Sequence, residues 1–261
     1  MLPSPCYLVS DAHLGAASPE RERDLLAFLR AIRARAGSLV VNGDLFDFWF
    51  EWRHVMPRQG YRILAALADL RDDGIPVLWI AGNHDCWGGE IIREDVGVDF
   101  HVGPWEGELA GWRARIEHGD GLRDKEDRPY RALRRVIRSR LAVRAFRLLH
   151  PDFGSRLARG SSDTSRHLGP GDGGVGLRSV AMSTLAERPA LDLVVYGHSH
   201  AIALERSPSG SVYANPGAWM DGATYLRIDE RGLAIHRWNG SAEGDRLDAV
   251  DRPAEKALGH A

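Results

Sequence analysis

Val40-Val41-Asn42-Gly43-Asp44-Leu45-Phe46-Asp47 is an apolar run that stops in a glycine turn, with a carboxylate placed at the stop. A strand buried in a parallel sheet reads as such a run, and ligands of open α/β sheets bind just beyond the carboxyl ends of strands. The stretch predicts a strand over 39–43 with Asp44 at its functional end. Upstream, Cys6-Tyr7-Leu8-Val9-Ser10 makes another short strand, which halts at Asp11-Ala12-His13. Ser18 then offers an N-cap with Pro19 at the first helical position, and Leu25, Phe28, Leu29 and Ile32 keep helical spacing until Gly37. Downstream, Tyr61, Leu64, Leu67, Ala68 and Leu70 predict a second helix, closed by Asp72-Asp73-Gly74. The strand Val77-Leu78-Trp79-Ile80-Ala81 follows and ends in Gly82-Asn83-His84-Asp85. Three strands that each finish in a polar cluster point to one shared site.

Later segments repeat the pattern. Ala114-Arg115-Ile116-Glu117 alternates as a strand does and delivers His118-Gly119-Asp120; Leu193-Val194-Val195-Tyr196 ends in Gly197-His198-Ser199-His200. Val212–Ala214, Thr224–Ile228 and Leu233–His236 read as an antiparallel run with turns at Asn215-Pro216-Gly217 and Glu230-Arg231-Gly232. Between these core strands, residues 121–187 differ in composition. Arginine recurs at 123, 128, 131, 134, 135, 138, 140, 144 and 147 while Leu133, Ile137, Leu141, Ala145 and Leu148 keep an apolar stripe, which predicts a cationic amphipathic helix. His167 to Gly176 reads as a loop. The expected organisation is one domain over 1–239 with 121–187 inserted into it, and a flexible polar tail over 240–261.

The bulk numbers are compatible with such a core. With 34 basic and 36 acidic residues in 261, the net charge of −2 argues against a general nucleic-acid binder. Cys6 and Cys86 form no disulfide framework and no zinc-type pair, so they read as reduced thiols of a cytoplasmic protein. The N-terminus lacks the pattern of a signal peptide, and no apolar run approaches the length of a membrane span.

The strand ends together present Asp11, His13, Asp44, Asn83, His118, His198 and His200. Carboxylate, imidazole and amide oxygen donors without thiolate suit borderline divalent ions: manganese first, with iron or zinc as alternatives. These groups exceed the protein ligand set of one ion that keeps a position open for water. Two ions about 3.5 to 4 Å apart, sharing Asp44, accommodate them all. Singly, each block also has an ordinary explanation. Asp11-x-His13 can cap a turn, Asn83 can be a turn residue, His118 a hydrogen-bonded core histidine, and His198-Ser199-His200 an exposed turn. Their common placement favours ligation.

In order and completely, Asp11-x-His13, Gly43-Asp44-x-x-Asp47, Gly82-Asn83-His84-Asp85, His118 and Gly197-His198-x-His200 resemble the signature of the calcineurin-like metallophosphoesterases, over Tyr7 to about Ile235. The resemblance implies an α/β fold, a four-layer α-β-β-α sandwich of two mixed sheets with helices outside and the insertion as a helical lid. It implies one metal on Asp11, His13, Asp44 and His200 and another on Asp44, Asn83, His118 and His198. Two shared cations would lower the pKa of a bridging water and neutralise charge on phosphoryl oxygens. His84 is then the candidate to protonate the leaving group, with Asp47 as its orienting partner; a helix-capping role is the alternative for Asp47.

Within the family, Gly43-Asp44-Leu45-Phe46-Asp47-Phe48-Trp49, the acidic cluster and Tyr130 after His118-Gly119-Asp120, and the helical insertion resemble the UDP-2,3-diacylglucosamine diphosphatase branch of lipid A synthesis. That branch cleaves a nucleotide-linked pyrophosphate to UMP and a diacylated sugar phosphate. It implies substrate contacts at Asn83, Asp127, Tyr130, Arg159, Ser162 and His198, and a protein peripheral on the inner face of the cytoplasmic membrane. The insertion's apolar face would cover acyl chains and its arginines would meet phosphates or anionic lipid; alternatively the stripe packs on the core and the arginines are solvated. There are departures. His84 stands where the branch carries arginine, and Phe50-Glu51-Trp52-Arg53 lacks its Gly-Asp-Asp. They keep open a generic phosphodiesterase or phosphatase acting on nucleotide or protein substrates. A non-catalytic metal-binding module is a third reading, which normally comes with eroded ligands.

Overall fold

The computed structural model of the chain describes residues 1–158, 172–241 and 243–252. Its first sheet contains β1 (Cys6–Val9), β2 (Ser38–Asn42), β3 (Val77–Ile80), β4 (Asp99–His101), β10 (Thr224–Ile228), β11 (Gly232–Arg237) and β12 (Asp245–Asp251). They lie in the order β12-β11-β10-β1-β2-β3-β4. β1 to β4 are parallel, with Val9 beside Val41 and Val41 beside Trp79, while β10 joins β1 antiparallel. The second sheet contains β5 (Trp105–Leu109), β6 (Trp112–Ile116), β7 (Leu193–Val195), β8 (Ile202–Arg206) and β9 (Val212–Pro216), in the order β5-β6-β7-β9-β8. Here β6, β7 and β9 are parallel and the two edge strands antiparallel.

Period-two alternation divides each strand between two cores. Tyr7, Val9, Leu39, Val41, Val77 and Trp79 face α1 (Pro19–Ile32) and α2 (Tyr61–Asp72), which bury Leu25, Phe28, Ile63 and Leu67 against them. Their neighbours Leu8, Val40, Leu78 and Ile80 point the other way and pack on Trp112, Ala114, Ile116, Leu193 and Val195 of the second sheet. Val194, Tyr196 and Tyr213 on its far side receive Leu177, Ala181 and Leu185 of a helix over Val175–Glu187. The result is the α-β-β-α sandwich. Burial on both faces is why β1 to β3 read as unbroken apolar runs.

Three sequence expectations are corrected. The cationic helix is two helices, α3 (Arg128–Ile137) and α4 (Arg140–Arg147). Between them Ser139 is extended and its hydroxyl accepts from the Ala142 amide at 3.2 Å, because serine competes better as an N-cap than as a helix interior residue. A further helix, α5, covers the described residues 151–158, which makes the Val175–Glu187 helix α6. The polar tail, expected to be flexible over 240–261, contains β12, which completes the sheet on the free edge of β11. Its charged side chains suit an edge strand and hid it from an apolar-pattern reading. Finally, β9 does not run antiparallel to β10; they lie in different sheets, and the chain crosses between them at α7 (Trp219–Gly222). The antiparallel partner of β9 is β8, which directly follows His200.

Candidate metal centre

The two sheets bring the ends of β1, β2 and β3 opposite the ends of β6 and β7. All seven expected ligand residues are placed there. Asp11, His13, Asp44 and His118 are buried, and Asn83, His198 and His200 are partly so. His118 Nε2 lies 3.1 Å from Asp44 Oδ2, and His13 Nε2 lies 3.8 Å from the same oxygen. His200 Nε2 is 3.5 Å from Asp11 Oδ1. Three groups have ligand atoms close enough to converge on one cation: Asp11, His13 and His200; His13, Asp44 and His84; and Asp44, His118 and His198.

The imidazoles are held in defined orientations. His118 Nδ1 lies 2.9 Å from the Asn42 carbonyl, so a proton on Nδ1 is donated there and Nε2 is the nitrogen turned to Asp44. His84 Nδ1 is 2.8 Å from the Asp47 backbone carbonyl, while the Asp47 carboxylate is 3.8 Å away and lies 3.7 Å from His13 Nδ1. The pairing of Asp47 with His84 read from the sequence therefore runs through the main chain, and the carboxylate sits between two histidines. The backbone amide of His84 donates to Asp44 Oδ1 at 2.9 Å, which fixes that carboxylate.

Protonation follows from this crowding. Burial opposes ionisation of Asp44, but His118, His84 and His13 outweigh it and hold the carboxyl well below its ordinary range. Asp11 is also burdened by burial and is lowered by His118 and His200. Burial disfavours a charged His118, yet Asp44 and Asp11 raise its pKa well above the usual histidine value. His200 is raised to about 9 against its burial by Asp11 and Asp221. His198, buried and beside His118, is pushed down. Protons on imidazole thus balance the carboxylates in the metal-free protein.

A cation fits these residues. Among the described residues, Asp11 Oδ1, Asn83 Oδ1 and His118 Nε2 are buried atoms that complete no hydrogen bond, although buried polar groups are nearly always paired, and His13 Nε2 is turned toward Asp11 and Asp44. Carboxylate, amide and imidazole groups have converged there without the full set of protein hydrogen bonds that such buried groups take, and a cation that displaces the imidazole protons would complete them.

The substrate residues expected from the sequence are placed less uniformly. Tyr130 donates its hydroxyl to Asp120 Oδ2 at 2.6 Å, and Asp127 is tied to Arg123 at 2.7 Å. Both contacts lie within the insertion and its root. Arg159 and Ser162 lie outside the described residues. Several residues at the site had no role in the sequence reading. Asp120 also receives Arg134 at 3.1 Å and Arg138 at 3.3 Å, and Arg138 reaches the Gly82 carbonyl at 3.1 Å, so the insertion is clamped to the site rim. Asp85 accepts from the amides of Leu45 and Gly82, each at 2.8 Å, and from Trp79 Nε1 at 3.3 Å. Its place inside the Gly82–Asp85 block was the one available signal.

A calcineurin-like phosphoesterase family model matches residues 4–201, which span every one of these strand ends. The chain belongs to the calcineurin-like phosphoesterase family. It is accordingly a hydrolase of the phosphoesterase class, and the family implies divalent metal ions. Among relatives, the UDP-2,3-diacylglucosamine hydrolase of Porphyromonas gingivalis is 34% identical over 220 residues, covering 76% of this chain and 84% of that protein. The protein of the same name from Sodalis glossinidius is 27% identical and covers 88% and 97%. A dimetal phosphatase from Danio rerio has a similar structure, with a TM-score of 0.49 and 12% identity over 96% of this chain and 99% of that one.

Proposed function

We propose that this phosphoesterase hydrolyses the pyrophosphate of a UDP-2,3-diacylglucosamine-type substrate to UMP and a lipid sugar phosphate. The observation that carries the catalytic part is the set of buried atoms on Asp11, Asn83 and His118 that complete no hydrogen bond, gathered with His13 Nε2 near Asp44. Asp11, His13, Asp44 and His200 would hold one divalent ion, and Asp44, Asn83, His118 and His198 the other; the mixed oxygen and imidazole donors admit manganese, iron or zinc, of which manganese is the proposed ion. Ions bound there would supply an ionised bridging water as nucleophile and neutralise charge on the phosphoryl oxygens.

The chain's own residues set the remaining chemistry. Asp44 is fixed by the His84 amide, and His118 by the Asn42 carbonyl, so neither needs to reorganise as charge develops. His84 keeps Nδ1 on the Asp47 carbonyl, so a proton for a leaving oxygen would have to come from Nε2. A neutral ring donating from Nδ1 has only a lone pair at Nε2. To give up a proton there, His84 must first carry both protons.

The lipid part rests on the named relatives and on the insertion. Leu133, Val136, Leu141 and Leu148 are exposed on α3, α4 and the following turn, beside exposed Arg135, Arg140, Arg144 and Arg147. Such a surface suits acyl chains and an anionic membrane face. No helix among the described residues is long and apolar enough to cross a membrane. His84 following Asn83 favours a second reading, a generic phosphodiesterase. Manganese-loaded protein assayed against UDP-2,3-diacylglucosamine and a simple aryl phosphodiester tests both. Turnover of the lipid nucleotide at least a hundredfold more efficient than of the aryl ester is expected; the reverse order would overturn the lipid assignment, and no turnover of either would overturn the catalytic one.

A further inference from the structure

The last histidine of the cluster is oriented from an element that none of the strand-end blocks contains. His200 Nδ1 lies 2.9 Å from Asp221 Oδ2, and its Nε2 faces Asp11 Oδ1 at 3.5 Å. Asp221 sits on α7, whose amides also grip the end of β1: Trp219 N donates to the Ser10 carbonyl at 2.9 Å and Met220 N to the Asp11 carbonyl at 3.1 Å. Just before α7, buried Asn215 donates its amide to the Gly197 carbonyl at 2.9 Å and to Ser199 Oγ at 3.1 Å, on either side of His198. The stretch from Asn215 to Asp221 therefore holds both the turn that carries His198 and His200 and the loop that carries Asp11.

We propose that Asp221 is a positioning residue for the metal centre, fixing His200 with Nδ1–H on its carboxylate and the Nε2 lone pair directed at the ion shared with Asp11. This rests on the metal assignment given above. The chemistry is that of a carboxylate–histidine–metal relay: the outer carboxylate selects the tautomer, restrains ring rotation and raises the basicity of the ligating nitrogen. His200 needs such a restraint more than its neighbours do. Its side chain is 32% exposed, whereas those of His13 and His118 are 3% and 1% exposed and packed in place.

The test compares wild type with Asp221→Ala and Asp221→Asn. Asp221 is largely exposed, so loss of folding is not the expected outcome, and a thermal melt checks it. Metal-free protein is titrated with Mn(II), followed by electron paramagnetic resonance, and the His200 ring nitrogens are read by 15N NMR in metal-free samples held above pH 9, where the ring is neutral and has a tautomer to report. Asp221→Ala is expected to weaken one of two Mn(II) sites about 10- to 100-fold, leave the other within about threefold, and erase the Nδ1–H preference of His200. Asp221→Asn, which keeps an acceptor oxygen but not the charge, is expected to restore the tautomer and recover part of the affinity. Two wild-type-like Mn(II) sites and an unchanged tautomer in Asp221→Ala would overturn the inference while leaving the metal assignment standing. Wild-type protein that takes up no Mn(II) would overturn the metal assignment itself, and the inference with it.

Discussion

Replacing Asp85 should show how far one buried carboxylate holds the centre together. Its two oxygens accept from Leu45 N, the residue after Asp44; from Gly82 N, the residue before Asn83; and from the Trp79 indole. Asp85→Ala leaves three buried donors without an acceptor. At ~1–3 kcal/mol for each unsatisfied group, with partial relaxation, the loss is roughly 3 to 6 kcal/mol. That is a large part of the ~5–15 kcal/mol of a typical domain, and for a chain of this length it lowers Tm by roughly 6 to 24 °C. Asp85→Asn can keep an oxygen for Leu45 and Trp79, but turns an amide NH2 toward the Gly82 amide; about 1 to 3 kcal/mol is expected. Thermal and urea unfolding of the metal-free proteins provide the measurement. The pH dependence adds a second readout. Burial and the nearby Asp44 charge push the Asp85 carboxyl from 3.8 to about 6, so the folded protein holds this proton more tightly than the unfolded chain. The associated stabilisation is complete below pH 3.8 and is lost as pH rises through about 6. Wild type should therefore lose stability relative to Asp85→Asn between those limits. An Asp85→Ala melt within about 2 °C of wild type, or a wild-type-minus-Asn difference flat across that window, would refute the reasoning.

Three further outcomes are expected. His84→Ala should retain bound metal by elemental analysis while kcat falls about 10²- to 10⁴-fold, the usual scale for a lost general acid; unchanged turnover would remove His84 from the mechanism. Because Asp44 and Asp11 hold His118 protonated well above its ordinary range, metal uptake must release a proton, and apparent affinity should rise with pH. Calorimetric enthalpies that do not change with the ionisation enthalpy of the buffer would contradict this. On the insertion, reversing exposed Arg140 and Arg144 to glutamate should reduce flotation with anionic vesicles, with neutral vesicles little affected; equal flotation of variant and wild type would reject the membrane-facing surface.

Much of the centre was legible because buried parallel strands announce themselves. β1, β2 and β3 are apolar runs that stop at polar residues, and the fold places all three stops in one volume. What escaped did so for physical reasons. β4, at three residues, is too short for a period, and β12 carries aspartates and arginine because it is an edge. The break at Ser139 was visible as a serine, but nine arginines and a continuous stripe outweighed it. Asp221 gave no signal because its partner lies 21 residues away, and only the crossing from β9 to α7 brings them together.

The backbone at the site explains why these blocks pair glycine with a candidate ligand. Among the described residues, seven non-glycine residues adopt positive φ, and Asp11 (53°), His13 (43°), Asp44 (52°), His198 (60°) and His200 (57°) are five of them. This left-handed region is disfavoured for any residue with a Cβ, and short polar side chains tolerate it best. Glycine would relieve the backbone but delete the ligand. The conformation is instead held by hydrogen bonds across the strand ends: Asp11 N to the Gly43 carbonyl at 3.1 Å, His13 N to the Asp44 carbonyl at 2.9 Å and His198 N to Asp11 Oδ2 at 3.0 Å. Gly82 and Gly197 have a different task. A Cβ on Gly82 would strike the Asp44 carboxylate, and one on Gly197 would strike Ser10 Oγ and the Asp11 carboxylate. At these two positions glycine makes room for a neighbour's carboxylate, while the strained conformations fall on the candidate ligands themselves. Among the described residues, left-handed strain falls mainly on those that converge at the site, which marks the centre as the place the fold is built to hold.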